Sequence, residues 1–221
     1  MKCEFCQREF KHEKRLESHL CEPKRRYLNK DTKVGQMAFE LFSRFKTFHR
    51  LKSKKDPFTE FLGSKQYRAF ETLAKFFLKT NPLDANEYFD HLIKSSIPFR
   101  KWTSDDYYSE WARVKIMEED PDTAVSRSIQ TLVEFAREKG VQVSDVYEHI
   151  SGNRLCLWLR TGRLSPWFVI LSKNPSNILD KLDNEMLSSL EDLINPLYWR
   201  HRAQKSAVAG QIQRDLKEAN L

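Results

Sequence analysis

Three of the four cysteines in this 221-residue chain, Cys3, Cys6 and Cys21, fall within its first 21 residues, and His19 stands just before the last of them. So short a segment buries too little apolar surface to hold itself together, so its fold depends on whether these side chains share an ion. A cysteine cluster beside a histidine in an intracellular protein points to a metal site ahead of a disulfide framework. Cys3 and Cys6 stand at the C-x-x-C spacing, a tight turn that lets two thiolates face one ion. His19 and Cys21 pose a harder problem, because positions i and i+2 point about 200° apart on an α-helix. They can share an ion only if the helix ends or unwinds at His19–Leu20, and Pro23 favours that ending by steering the residue before it away from helical dihedrals. Cys21 is the expected fourth ligand, with His12, early in the helix and facing solvent, as its competitor.

Over residues 1–22 this segment resembles a zinc finger of the two-cysteine, two-histidine family. Phe10 and Leu16 fall at that family's two core positions, and His19 follows Cys6 after twelve intervening residues, as the family's third ligand does. The departure is the fourth ligand: the family leaves three to five residues after its first histidine, and here Cys21 follows after one. The resemblance implies a ββα module holding one Zn2+ through Cys3, Cys6, His19 and Cys21. It also implies a helix surface able to meet bases in a major groove, here carrying Lys14, Arg15 and Ser18. A single finger spans about three base pairs, so sequence-specific recognition by this module alone is not expected, and many single fingers bind proteins instead.

Charge is as uneven as cysteine. Residues 1–55 hold 16 Lys and Arg against 7 Asp and Glu, a balance of +9, while the rest hold 22 against 24, so the formal net charge of +7 originates in the first quarter. A basic arm on a near-neutral body suits a protein that meets a phosphate backbone, although a solvated basic helix gives the same numbers. After the finger, Lys24, Arg25, Arg26, Lys30 and Lys33 surround Tyr27 in EPKRRYLNKDTK. Guanidinium and ammonium groups are drawn to phosphate, and a tyrosine ring can stack on an exposed base. These six residues, with Lys14 and Arg15, form the expected nucleic-acid-binding surface. They would equally serve a solvated linker with Tyr27 and Leu28 tucked into the body.

From Asp31 the periodicity is helical. Val34, Met37, Ala38, Leu41, Phe42, Phe45 and Phe48 recur mostly at three- and four-residue steps, a core-facing stripe, with Arg44, Lys46, Arg50, Lys52, Lys54 and Lys55 away from it. Ser64, Asp84, Ser104 and Ser144 precede later helical runs as candidate caps, and Pro121 opens a helix that Gly140 stops. Further helices are expected at NRLCLWLRT, SPWFVILSK and NILDKLDNEMLSSLEDLI, then after Asn195–Pro196. With only 6 glycines and no strand pattern outside the finger, the expected fold is mainly α. It comprises a small ββα zinc-finger module (1–22), a basic linker (23–33), an all-α multi-helix domain (34–200) and a polar C-terminal helix or tail (201–221). Cys156, inside RLCLWL, is expected to be a small buried side chain.

No stretch approaches ~18 consecutive apolar residues and no apolar leader is present, so neither a membrane span nor a secretory signal is expected and a reducing cytoplasm is. P-loop, G-x-G-x-x-G, H-E-x-x-H and nucleophile-elbow patterns are all missing, and no enzyme is expected. The acidic run Glu118, Glu119, Asp120 and Asp122 straddles a helix boundary at Pro121, where a capping role is expected ahead of a magnesium site. The stretch WLRTGRLSPWFV offers one more site. There Gly162 ends a helix, Ser165 caps the next with Pro166 in its first turn, and Arg160 and Arg163 flank amides that can seat a phosphate. It serves as readily as a tight helix–helix joint anchored by Trp158 and Trp167.

Beyond the finger, the layout is similar to a group of small tailed-bacteriophage proteins that start with a single finger, continue with CEPKRR-like basic residues and end in a helical body with a GRLSPW-like corner. The helical body also resembles the helicase-loading proteins of large tailed phages, which lack the finger. The expected function is that of a non-enzymatic, zinc-containing nucleic-acid-binding protein in phage replication or transcription, with DNA ahead of RNA. The alternative is an adaptor that grips a replication or transcription protein.

Overall fold

The structure is a computed structural model describing residues 1–52 and 56–221. Lys54 and Lys55, part of the basic face expected from sequence, lie outside the described residues. The described chain is mainly helical, with no strand among the described residues, and it divides into two compact units: Met1–Asn81 with Ala85–Ser104, and Pro82–Asp84 with Asp105–Leu221. The sequence pattern places residues 34–200 in one domain and marks Ser104 only as the cap of a further helix, so this division is not expected from it.

The first unit contains α1 (Glu13–Glu17), α2 (Glu22–Leu28), α3 (Lys33–Phe48), α4 (Pro57–Gly63), α5 (Tyr67–Thr80), α6 (Ala85–Lys94) and a 3-10 turn at Phe99–Lys101. Thr32 starts α3 by accepting the Gly35 N–H at 3.0 Å. The stripe on α3 buries Ala38, Leu41 and Phe42 as its spacing predicts, whereas Phe48, in the last turn, is exposed. Around Phe42 an aromatic core assembles from α4, α5, α6 and the 3-10 turn. Ring centroids lie 5.2 Å apart for Phe42–Phe61, and 5.5 Å apart for Phe42–Phe70, Phe70–Trp102 and Phe89–Trp102. Each such edge or tilted contact adds about 0.5–1.5 kcal/mol beyond the area it buries. The basic face of α3 is less open than its spacing predicts. Arg44 pairs with Asp90 at 2.7 Å, and Lys46 is buried, its ammonium 2.5 Å from Glu60.

The stretch expected to be a basic linker is helical over Glu22–Leu28, with Pro23 in the first turn, where its missing N–H breaks no helical bond. Arg26 makes this helix part of the unit. Its guanidinium lies 4.6 Å from the Tyr67 ring centre and donates to the Leu62 and Ser64 carbonyls at 2.8 and 3.1 Å. Asn29 donates to the Tyr67 hydroxyl at 3.1 Å. The chain between α2 and α3 approaches so closely that a Cβ on Gly35 would lie 1.9 Å from the Asn29 carbonyl oxygen.

The second unit contains α7 (Asp105–Glu118), α8 (Pro121–Lys139), a 3-10 turn at Val143–Asp145, α9 (Val146–His149), α10 (Gly152–Thr161), α11 (Pro166–Leu171), α12 (Ser176–Leu179), α13 (Asn184–Ile194), α14 (Pro196–Lys205) and α15 (Ala209–Glu218). Several punctuation signals act as their chemistry predicts. Asp120 caps α8 through the amides of Asp122 and Thr123, and Gly140 and Gly162 end α8 and α10 in left-handed conformations. The run NILDKLDNEMLSSLEDLI is broken where one helix was expected, because Asp183 accepts the Met186 N–H and starts α13. Residues 201–221, expected as a polar C-terminal helix or tail, include α15, which buries Ala209, Ile212 and Leu216. Cys156 is only half-buried, its sulfur 3.9 Å from the Ser189 hydroxyl.

The joint between α10 and α11 is organised by Glu119. Its carboxylate accepts from Arg127 and from the Ser165 hydroxyl, each at 2.6 Å, and its carbonyl accepts from the Trp167 indole at 3.2 Å. Arg127 also donates to the Gly162 carbonyl at 2.6 Å. Burial pushes the Glu119 carboxyl above its usual range, against the pull of Arg127. Glu119→Ala, which strands Arg127 and Ser165 without their acceptor, is expected to lower the unfolding free energy by about 3 kcal/mol in urea denaturation. Glu119→Gln, which keeps an acceptor, should lose less.

Candidate metal centre

The centre is assembled from a turn and the ends of two helices. The Cys3 N–H donates to the Arg8 carbonyl at 2.9 Å and the Gln7 N–H to the Cys3 carbonyl at 2.8 Å, closing a loop in which Lys2 and Glu9 form an isolated antiparallel bridge. The ββα module expected from the finger resemblance is therefore corrected: one bridge replaces the hairpin strands. The loop consumes the residues that would extend them, with Gln7 in the left-handed region at φ 59°. The helix of the module is short as well, ending at Glu17.

That early ending solves the spacing problem at His19 and Cys21. His19 follows the end of α1, and Cys21 is the extended N-cap of α2 (φ −78°, ψ 163°), so the two side chains need not share one helical register. The Phe10 ring packs 4.6 Å from the His19 ring, one of the contacts its core position predicts, and Leu16 is half-buried. Cys3, Cys6, His19 and Cys21 thereby bring four ligand atoms within 4.8 Å of one another. Cys3 is buried and the other three are half-buried. His12 is exposed at the start of α1 and outside the cluster.

The distances fit one ion. With metal–sulfur bonds of about 2.3 Å, a tetrahedron separates two sulfurs by about 3.8 Å. Cys3 and Cys21 stand 3.9 Å apart, and the Cys6 sulfur is 3.2 Å from His19 Nε2. Backbone amides prepare the sulfurs. The Cys6 and Phe5 amides hold the Cys3 thiol below its usual range against the effect of burial. The Arg8 amide pulls Cys6 the same way, but burial and the neighbouring Cys21 and Cys3 sulfurs outweigh it and raise that thiol. Crowded thiols of this kind ionise together only around a cation. Three sulfurs and an imidazole suit a soft or borderline metal, and four protein donors leave no position open for substrate, which is the pattern of structural sites.

The other sequence-derived candidates separate into engaged and open groups. Arg25 and Arg26 both pair with Glu22, Arg26 at 3.2 Å, and Glu22 also meets Arg68 at 3.4 Å. Hydrogen bonds from Arg26 and Arg68 hold the Glu22 carboxyl below its usual range. Lys30 lies against Tyr27, its ammonium 3.2 Å from the hydroxyl, and the Phe5 ring packs on the Tyr27 ring at 5.3 Å between centroids. Lys24 reaches the Glu17 carbonyl at 3.4 Å. Lys14, Arg15 and Lys33 are exposed and, among the described residues, have no side-chain partner. Lys11, outside the surface expected from sequence, shares that state. Glu22 also falls outside that expectation, although its three- and four-residue spacing to Arg25 and Arg26 is the signal for the pairing.

At the corner, Arg163 pairs with Glu134 at 3.1 Å and Arg160 stands 3.5 Å from the Ser109 hydroxyl. The amides that would seat a phosphate are taken: Leu164 donates to Trp158, Ser165 to the Ser128 hydroxyl and Trp167 to the Ser165 hydroxyl. With the Glu119 carboxylate beside Ser165, the geometry is that of a joint.

No family model matches the chain, and no curated protein or solved structure matches it. The likeness to tailed-phage proteins thus rests on the sequence features alone. Among the described residues no helix is long and apolar enough to cross a membrane.

Metal analysis of protein purified without chelator is expected to give one bound ion per chain. Cys21→Ser should lower that occupancy and His12→Ala should not. Because the sulfur ligands bind as thiolates, acidification should release the ion, and affinity should rise again as pH is restored.

Proposed function

We propose that this chain is a non-enzymatic nucleic-acid-binding protein whose four-ligand centre holds a structural Zn2+. The observation that carries the reading is the coincidence of the cluster with the charge surplus: residues 1–55, which contain all four ligand candidates, hold 16 Lys and Arg against 7 Asp and Glu, while the rest of the chain has a slight acidic excess. Zinc is the metal of choice for a closed tetrahedral set rich in thiolate, and it would fasten α1 to α2 where little apolar surface does so. Lys11, Lys14, Arg15 and Lys33, free of carboxylates, are the strongest phosphate contacts, with Lys24 beside them. Arg26 serves the fold. DNA stands ahead of RNA, and replication or transcription, in the phage setting that the sequence likeness suggests, is the context such a protein would serve.

A second reading draws on exposed apolar side chains beside the same centre. Leu20 and Leu28 are 58% and 59% exposed, and Tyr27 is exposed next to them. Side chains of this kind suit an adaptor that docks on a replication or transcription protein.

Salt separates the two. On duplex DNA the triple variant Lys14→Ala/Arg15→Ala/Lys33→Ala is expected to lower the slope of log affinity against log salt by up to about 2.7, roughly 0.9 for each phosphate left without its cation. Arg26→Ala should instead lower thermal stability. Binding to a protein partner that ignores salt, with no DNA or RNA binding at low salt, gives the adaptor reading its place.

A further inference from the structure

A cleft of about 470 Å³ opens in the second unit beside α11, α14 and α15. That volume lies within the range of ~300–1,000 Å³ typical of small-molecule sites. Its walls include Val169, Ile170, Leu179, Ile194 and Ala203. The packing of α14 explains why it exists. Trp199 of that helix stands 5.3 Å from the Trp167 ring, and Arg202 lies over Trp167 at 4.9 Å, so one face of α14 is spent on the core. Pro196, Arg200, Ala203 and Gln204, related by three- and four-residue steps, are left facing the cleft. From the other side α15 contributes Gly210 and Gln213 while burying Ile212 and Leu216.

Polar groups gather where the walls are apolar. Arg200, Gln204 and Gln213 all line the cleft, and among the described residues none of the three has a side-chain hydrogen-bond or ion-pair partner. No carboxylate is among the lining residues, so Arg200 leaves the site with one uncompensated positive charge. Gly210 adds a second kind of evidence. A Cβ there would meet only the Arg214 guanidinium, at 4.0 Å, so packing within the chain does not require glycine at a helical position that alanine would favour.

We propose that this cleft binds a single small amphipathic anion, a medium-chain carboxylate, with its chain along the apolar walls and its head on Arg200. The planar guanidinium matches a carboxylate with two parallel hydrogen bonds, and the Gln204 and Gln213 amides offer further donors. The concave form and limited volume suit one chain and not a bilayer surface.

Decanoate, decanol and decyltrimethylammonium, which share a chain and differ in head charge, test this by calorimetric titration of the full chain below micelle-forming concentrations. Saturable binding of one decanoate is expected, with decanol about tenfold weaker and the cation weaker still. Arg200→Ala should bring decanoate to the affinity of decanol and leave decanol unchanged. Ala203→Phe, which puts a ring in the cleft, should abolish both, with folding checked by circular dichroism. Gly210→Leu takes its place if that variant does not fold. Equal affinity for all three heads, decanoate binding unaffected by Arg200→Ala, or binding that survives the filling variant overturns the proposal. So does adsorption to anionic vesicles without saturable decanoate binding.

Discussion

Three thiols and an imidazole held within 4.8 Å of one another make a cluster that could hold one metal ion, and only around such a cation would all three sulfurs ionise together. The segment around it has little else. Cys3 is its one buried side chain, α1 is five residues long, and a single bridge stands in for a hairpin. The cluster reaches the start of α2, since Cys21 is both a candidate ligand and that helix's N-cap. From α2 the constraint passes into the first unit through Arg26 and Asn29, whose bonds to Leu62, Ser64 and Tyr67 join the metal segment to the aromatic core.

This linkage divides the basic residues by purpose. An arginine that donates to two carbonyls and lies over a ring is spent on the fold, and one paired with a neighbouring carboxylate has lost much of its attraction for phosphate. Lysines and arginines on the short helix α1 and at the start of α3 carry no such obligation. In this chain positive charge near the cysteine–histidine cluster marks both structural and available groups, and only the bonding of each side chain tells them apart.

The second unit is organised differently, around Glu119, whose side chain is 11% exposed. Glu119 collects donors from Arg127, Ser165, Trp167 and Arg202, so the turn between α10 and α11 is fixed by polar contacts inside an apolar shell. At the corner expected from sequence to seat an anion, the amides of Leu164, Ser165 and Trp167 already donate within the chain. The uncompensated cation of this unit's cleft is Arg200, on a helix whose aromatic face is already committed to Trp167.

Sequence by itself determined the helical class, many of the helix starts and stops, and the four residues that the structure gathers as a possible metal site. These depend on local chemistry: apolar spacing, oxygen-bearing caps, a proline after Cys21 and the reach of side chains a few residues apart. It misjudged what local pattern does not encode. Residues 23–33 are polar enough to look like a linker, yet α2 forms because Arg26 finds carbonyls 36 and 38 residues away. Lys46 looks like a surface cation and is buried because Glu60 meets it. The division near residue 104 and the cleft on α14 are likewise tertiary outcomes. Each depends on which of several competent faces found a partner, and that is settled by contacts between elements distant in sequence.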